Sequence, residues 1–329
     1  MSSKGIISLG IECTAHTLGF GIINEKGKIL SEVRDTYTTE KGGIIPIEAA
    51  KHHELVKEKV LENALNEAKL KINDIDIISF SQGPGLQPSL IVGKNFAKEL
   101  ALELKKPLVG VNHLVAHLEI GKLLCNVKNP VFVFVSGANT QIISLEGSYY
   151  RIMGEALTIG LGNALDKFGR EIGLGFPAGP KIEELAKKGK YIELPYVVKG
   201  MDVEFSGIIT DSINKFKKGI NKEDLCFSLQ ETCFSMVAEV TERALAHSQK
   251  NEALLIGGVA ANKRFIEILD VMCKEREAKF DAVPLRYSGD NAAMIAWQGI
   301  LEYKAGRKEN LSKVDIKPFW RTDEIKVEW

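Results

Sequence analysis

The apolar positions early in the chain come in short β-rich runs. Ile6 to Ile11 is one, Leu18 to Ile23 a second and Ile29 to Val33 a third. Glu12-Cys13-Thr14-Ala15-His16-Thr17 separates the first two, and a turn at Glu25-Lys26-Gly27 separates the next two. Read alone this is a β-meander, and its polar opening also offers N–H groups and hydroxyls to a phosphate. The pattern then lengthens: Glu48 to Ala68 has the spacing of a long amphipathic helix, with Gly42-Gly43 before it and Pro46 suited to a first helical position. Ile75 to Phe80 is a buried-type strand, followed by the Gly/Pro-dense loop Ser81 to Ser89, a helix from Leu90 to Leu104 and a strand from Leu108 to Val111.

From Val131 the opening is echoed. A β run to Val135 leads through Ser136-Gly137-Ala138-Asn139-Thr140 to a second run, Gln141 to Leu145, a turn at Glu146-Gly147-Ser148 and a third run, Tyr149 to Met153. Two β-β-β-α-β-α halves account for this order. Beyond it, glycines punctuate the chain at Gly160-Leu161-Gly162, before a short helix, and at Gly173 to Gly179, with Pro180 near the next helix start. Lys199-Gly200-Met201-Asp202 and Phe205-Ser206-Gly207 read as a pair of loops. Glu223 to Ser248 is helical with an apolar packing stripe, and Ala253 to Ile256 is a strand that delivers Gly257-Gly258-Val259-Ala260-Ala261-Asn262 to another helix. Glycines directly after a strand let a flat adenine or ribose lie against backbone, with Asn262 free to hydrogen-bond it. The run is not a G-x-G-x-x-G, so a Rossmann dinucleotide site is disfavoured.

Length and composition add bounds. A chain of 329 residues suggests two domains, and 45% hydrophobic with 26% charged residues is an ordinary globular balance. Lys+Arg and Asp+Glu stand at 43 each, so no global basic field attracts nucleic acid. Five cysteines, with no C-x-x-C among them, fit a reducing compartment. No run approaches the length of a membrane span, so the expectation is a cytoplasmic protein without membrane contact.

The densest chemistry is His113-Leu114-Val115-Ala116-His117. Histidines four apart share a helix face, about one turn and roughly 6 Å from each other at Cβ, so both rings can reach one cation. The Glu of a zinc-protease H-E-x-x-H is missing, which argues against a metalloendopeptidase. An isolated pair is more often a helix that merely carries two histidines, and only further ligands shift that balance. Asp290, at the start of the last long helix, reads most plainly as its cap. His52 and His53 are adjacent, point about 100° apart and are poor co-ligands; with His16 they are the candidates for a general base.

His113-x-x-x-His117, Val135-Ser136-Gly137-Ala138-Asn139-Thr140-Gln141, Gly257 to Asn262 and Asp290-Asn291-x-Ala293-Met294-Ile295-Ala296 occur in that order. Together with Gly10-Ile11-Glu12-x-Thr14-Ala15-His16-Thr17, Gln82-Gly83-Pro84-Gly85 and Phe319-x-Arg321-Thr322-Asp323, they make the chain closely resemble the TsaD family in its archaeal and eukaryotic form. That form is the catalytic subunit of the KEOPS complex, formerly described as an O-sialoglycoprotein endopeptidase. The resemblance implies an α/β fold of the actin-like ATPase (ASKHA) type, two duplicated lobes around a nucleotide cleft. Residues 1–130 would form the N-terminal lobe with 300–329 packing back on it, and 131–299 the C-terminal lobe. It implies transfer of threonylcarbamoyl from threonylcarbamoyl-AMP to the adenosine 3′ of the anticodon in tRNAs that read codons beginning with A. The alternative is a nucleotide-binding scaffold or switch subunit of such a complex.

Carried over residue by residue, the resemblance makes His113, His117 and Asp290 ligands of one divalent metal, iron ahead of zinc. Phe134, Val135, Ser136, Gly137, Ala138, Asp166, Gly179, Glu183 and Asn262 would contact ATP or threonylcarbamoyl-AMP, with Mg as a possible companion. Implied partners are tRNA and the small kinase and accessory subunits of a KEOPS-type complex. Archaeal relatives usually carry Tyr where this chain has Phe134, and family glycines are replaced at Cys13, Gln87, Ala138, Ala178 and Ala292. A usual Arg is Ile91. At Ala138 and Ala178 a Cβ is expected to crowd backbone that approaches phosphate or ribose.

Overall fold

A computed structural model describes residues 5–39 and 44–329. The Gly42-Gly43 break expected before the first helix lies outside the described residues. The chain divides into two compact units, one comprising residues up to Leu123 with Asp290–Trp329, the other Leu124–Gly289.

In the first unit β1 (Ile7–Glu12), β2 (Thr17–Asn24) and β3 (Ile29–Thr36) form an antiparallel meander. It is followed by α1 (Pro46–Ala68), β4 (Ile77–Gly83), α2 (Gln87–Leu104), β5 (Leu108–Asn112) and α3 (His113–Cys125). The sheet order is β3-β2-β1-β4-β5, with β4 and β5 parallel to β1. In the second unit β6 (Val131–Val135), β7 (Thr140–Glu146) and β8 (Tyr149–Glu155) repeat the meander. α4 (Leu161–Glu171), α5 (Gly179–Ala186), the short pair β9 (Val198–Lys199) and β10 (Asp202–Val203), α6 (Ser206–Lys217) and α7 (Lys222–Ser248) come next. β11 (Glu252–Ile256), α8 (Lys263–Glu275), β12 (Lys279–Ala282) and the single turn α9 (Leu285–Ser288) complete it. Its order, β12-β11-β6-β7-β8, is that of the first sheet strand for strand. Even the register irregularity recurs, at Ile22/Ile23 of β2 and at Ile142/Ile143 of β7.

α10 (Ala292–Lys304) belongs to the first unit, because it packs on β1, β2, β4 and β5. The division therefore falls at 289/290, not at 299/300 as anticipated. The reason lies in β1 and β2. Ile7, Leu9 and Ile11 alternate with Ser8, Gly10 and Glu12, and Leu18, Phe20 and Ile22 alternate with Gly19 and Gly21. The apolar set joins Val60, Phe96 and Ala97 of α1 and α2 in one core. The other face is small enough for a helix backbone to lie against it. A Cβ on Gly10 would sit 2.2 Å from the Ala292 carbonyl oxygen, and one on Gly21 2.3 Å from the Ala293 nitrogen. Helices on both faces explain why all of β1 is buried.

Phe205-Ser206-Gly207 is not a loop: Ser206 opens α6, whose Ile208 and Ile209 enter the second core. Lys199 to Asp202 does turn, as the β9–β10 hairpin. Three of the replaced glycines carry their extra carbon inward, towards a glycine of this chain. Cys13 packs against Gly93, Ala178 against Gly169 and Ala292 against Gly19. Ala178 and Ala292 are fully buried, so the Ala178 methyl is taken up by the core.

Candidate metal and nucleotide sites

The metal candidate is built within the first unit. Asn112, the last residue of β5, starts α3 by accepting hydrogen bonds on Oδ1 from the N–H groups of Leu114 (3.0 Å) and Val115 (3.1 Å). His113 and His117 therefore lie one turn apart at the helix start, with rings 4.8 Å apart and nearly perpendicular. At the beginning of α10, Asn291 is the cap, its Oδ1 accepting from Met294 N–H at 3.0 Å. Asp290 is thus released from the capping role that was its plainest reading. Its Oδ1 lies 3.4 Å from His113 Nε2 and 3.3 Å from His117 Nε2. Asp290 is remote from His117 in sequence (173 residues), yet the three ligand atoms fall within 4.8 Å of one another. Two imidazole nitrogens and one carboxylate oxygen, buried on the histidine side, match the donor set of zinc or non-haem iron sites with open positions.

Glu12 completes the arrangement, and its role there was not read from the sequence. It is fully buried at the end of β1, on the strand face that meets α10. Oε2 lies 2.9 Å from His113 Nδ1, while Oε1 accepts hydrogen bonds from Thr14 N–H (2.9 Å) and the Thr14 hydroxyl. A His113 that donates from Nδ1 to Glu12 presents the Nε2 lone pair to a cation, the carboxylate–histidine–metal relay. Glu12→Gln is expected to weaken divalent-cation affinity about 10- to 100-fold, checked by competition with a chromophoric chelator. An unchanged affinity would remove Glu12 from the site.

The electrostatics favour a cation. Burial opposes a charge on His113, but the Glu12 and Asp290 carboxylates outweigh it and lift its pKa to about 10. Burial pushes His117 down, only partly offset by Asp290, so it is neutral at pH 7. Burial also works against ionised Asp290, yet the two imidazoles hold it well below the usual carboxylate range. Without metal, His113 thus carries the proton that a cation must displace. Below pH 10 His113 is protonated and competes, so affinity should rise about tenfold per pH unit and level off above it. Calorimetry in buffers of different ionisation enthalpy should find close to one proton released per cation at pH 7.

His52 and His53 do not join this group. His52 Nε2 pairs with Asp35 Oδ1 at 2.5 Å, and His53 is buried with Nε2 on the Ala15 carbonyl at 2.9 Å. The Ala15 carbonyl also accepts from Ser89 Oγ (2.7 Å), so His53 is a brace for the β1–β2 loop.

The nucleotide candidates lie in the second unit. Phe134 and Val135 end β6 and are buried. Ser136 closes a tight turn, its N–H donating to the Asn139 carbonyl (2.8 Å) and its Oγ accepting from Asn139 N–H (3.1 Å), which leaves Gly137 and Ala138 exposed. The start of α4 docks on this turn: Gly162 N–H donates to the Ser136 carbonyl and Asn163 N–H to that of Gly137. A Cβ on Gly160 would strike the Ala138 carbonyl at 2.4 Å. Asp166 Oδ1 accepts from Ala178 N–H at 2.7 Å, which sets Gly179 at the head of α5. Glu183 accepts from Lys263 N–H at 2.9 Å. Asn262 is not free, as the sequence suggested. Its Oδ1 caps α8 through Phe265 N–H (3.1 Å) and its Nδ2 donates to Gln230 Oε1 (2.7 Å). Asp166 thus ties α4 to the start of α5, Glu183 ties α5 to the start of α8, and Asn262 ties that start to α7.

Comparison with known proteins agrees with the motifs. Residues 28–297 match the family model described as TsaD, tRNA N6-adenosine threonylcarbamoyltransferase. The chain is 55% identical over 326 residues to the enzyme of that name from Thermococcus sibiricus, covering 98% of this chain and 100% of the relative. It is 50% identical to a probable bifunctional tRNA threonylcarbamoyladenosine biosynthesis protein of Methanobrevibacter smithii, covering 98% of this chain and 60% of that one. Among solved structures, HypF of T. kodakarensis superposes with a TM-score of 0.61 at 16% identity, over 91% of this chain and 48% of that chain. Component A of the Acidaminococcus fermentans (R)-2-hydroxyglutaryl-CoA dehydratase gives 0.56 at 16% identity, over 92% and 100%. At such identities the likeness concerns the fold alone, the α/β actin-like ATPase architecture of which the repeated sheet is the hallmark. Motif order, near-complete coverage and the two matched sheets together place the chain in the TsaD family of tRNA N6-adenosine threonylcarbamoyltransferases.

Proposed function

We propose that this chain transfers the threonylcarbamoyl group of threonylcarbamoyl-AMP to the N6 amine of the adenosine just 3′ of the anticodon, in tRNAs that read codons beginning with A. The observation that carries the reading is the convergence of His113, His117 and Asp290 in a chain 55% identical, end to end, to an enzyme so named. The donor is a mixed anhydride, so the carbamoyl carbon is already activated. The adenosine nitrogen forms the new C–N bond, the C–O bond to AMP breaks and the amine loses a proton, with no covalent enzyme intermediate.

In this reading His113, His117 and Asp290 hold one divalent cation, which supplies Lewis acidity and orientation for the carbamoyl group. Two histidines and one carboxylate suit iron ahead of zinc. Glu12 fixes the His113 tautomer. Gly137 and Ala138 offer N–H groups to phosphate beside Ser136. Asp166, Gly179, Glu183 and Asn262, with Phe134 and Val135 behind the turn, shape the surroundings of ATP or threonylcarbamoyl-AMP, with Mg as the nucleotide's companion. Asn262 acts through the α8 start. Lys+Arg and Asp+Glu are equal in number, so tRNA affinity is shared with the small kinase and accessory subunits of a KEOPS-type assembly. Among the described residues no helix is long and apolar enough to cross a membrane, in keeping with work in the cytoplasm.

Mass spectrometry of nucleosides, after incubation of metal-loaded protein and its partner subunits with tRNA and threonylcarbamoyl-AMP, tests the reading. Threonylcarbamoyladenosine should accumulate. Absence of that nucleoside with every component present would favour a scaffold role instead.

A further inference from the structure

We infer that β3 is the clamp that sets the metal-binding carboxylate, with Glu32 and Arg34 as its positioning residues. Asp290 comes from a segment far from α3 in sequence, and its side chain must meet two histidine nitrogens within a few tenths of an ångström. Its own carboxylate contacts do not fix its backbone. That task falls to the neighbouring edge strand.

Glu32 and Arg34, two apart on β3, both reach the start of α10. The buried Glu32 carboxylate accepts from Ala292 N–H (3.2 Å, Oε1) and Ala293 N–H (2.8 Å, Oε2). Arg34 Nη1 donates to the carbonyl of Asp290 itself at 2.9 Å. With Asn291 capping Met294 N–H, three side chains grip the chain directly after the Asp290 Cα. Asp35, of opposite parity on the strand, turns instead to His52 on α1. The glycine face of β1 and β2 fixes how closely α10 approaches, while Glu32 and Arg34 fix where its first turn stops along that face.

Helix capping accounts for the Glu32 contacts but not for that of Arg34. Asn291 already supplies a cap, and a buried carboxylate serving two further N–H groups adds restraint at the two residues beyond it. A guanidinium on the carbonyl that precedes the cap stabilises no helical hydrogen bond at all. It restrains the residue that carries the ligand.

The inference rests on His113, His117 and Asp290 holding a cation, so the test begins with the full parent chain and Co²⁺ alone, followed by its d–d absorption. A parent that shows no stoichiometric site overturns the metal reading itself. With the parent site present, Arg34→Ala should weaken Co²⁺ binding about tenfold and Glu32→Ala about 10- to 100-fold, each with altered band positions as the carboxylate moves. Arg34→Lys, which keeps a donor, should recover most of the loss. The exposed Arg34 is the variant least able to unfold the chain. Leu269→Ala, in the core of the second unit, is the control for destabilisation alone and should leave affinity and spectrum unchanged. Parent-like Kd and spectrum in both Arg34→Ala and Glu32→Ala, or an equal loss in Leu269→Ala, overturns the clamp.

Discussion

Asp290→Ala is expected to abolish binding of the proposed cation and to lower threonylcarbamoyl transfer by about 100-fold or more, the loss that removal of a ligand itself brings and not merely of its support. Its Oδ1 lies near both Nε2 atoms, at 3.4 Å from His113 and 3.3 Å from His117. Without it only the two imidazole nitrogens remain, separated by one helical turn. The fold should survive, because Asn291 still caps α10 and His113 keeps its contact with Glu12. Elemental analysis of the purified variant and nucleoside mass spectrometry check both halves. A variant with one cation per chain and parent-like transfer would show that the ligands lie elsewhere.

Gly10→Ala has the second large effect, through packing. The added methyl would lie 2.2 Å from the Ala292 carbonyl oxygen and 2.3 Å from the Ala296 nitrogen. Both are backbone atoms of α10, so no side chain can swing away, and the helix must lift from the sheet. Overpacking of this kind costs about 3 kcal/mol, roughly 6–12 °C in melting temperature for a unit of this size. The displacement carries Asp290 with it, so cation affinity should fall as well. Gly147→Ala is the contrast for space: a Cβ there meets nothing within 4 Å, although its positive φ adds a smaller backbone strain. A Gly10→Ala protein that melts with the parent and binds metal equally would mean that α10 does not rest on this strand.

Local patterns made much of the fold legible. The β runs at Val131 to Val135 and Leu108 to Val111 were readable because strand residues there are continuously apolar, and the echo of the first meander in the second anticipated the matched sheets. α6 was missed because Phe205-Ser206-Gly207 resembles a turn, whereas its helical signal, Ile208 and Ile209 against polar partners, starts only afterwards. The allegiance of α10 was not legible either. It depends on a glycine face of β1 and β2 that is complementary to a helix backbone, a property of two strands side by side and not of any one segment. In the metal site, His113 and His117 were visible from spacing, since the helix itself makes them neighbours. Asp290 entered through family resemblance alone, because no local rule links residues so far apart in the chain. Glu12 stands within the Gly10 to Thr17 motif, but its role depends on strand parity: even-numbered residues of β1 face α10, and that face ends beside His113.

Imidazoles from α3 and a carboxylate preceding α10 are proposed to share one cation. Anomalous diffraction from crystals of the metal-loaded chain, collected on both sides of the metal absorption edge, measures this most directly. A single peak at bonding distance, about 2.0–2.2 Å, from Nε2 of His113, Nε2 of His117 and Asp290 Oδ1 is the predicted result. A fully occupied peak that touches none of these three atoms would contradict the account.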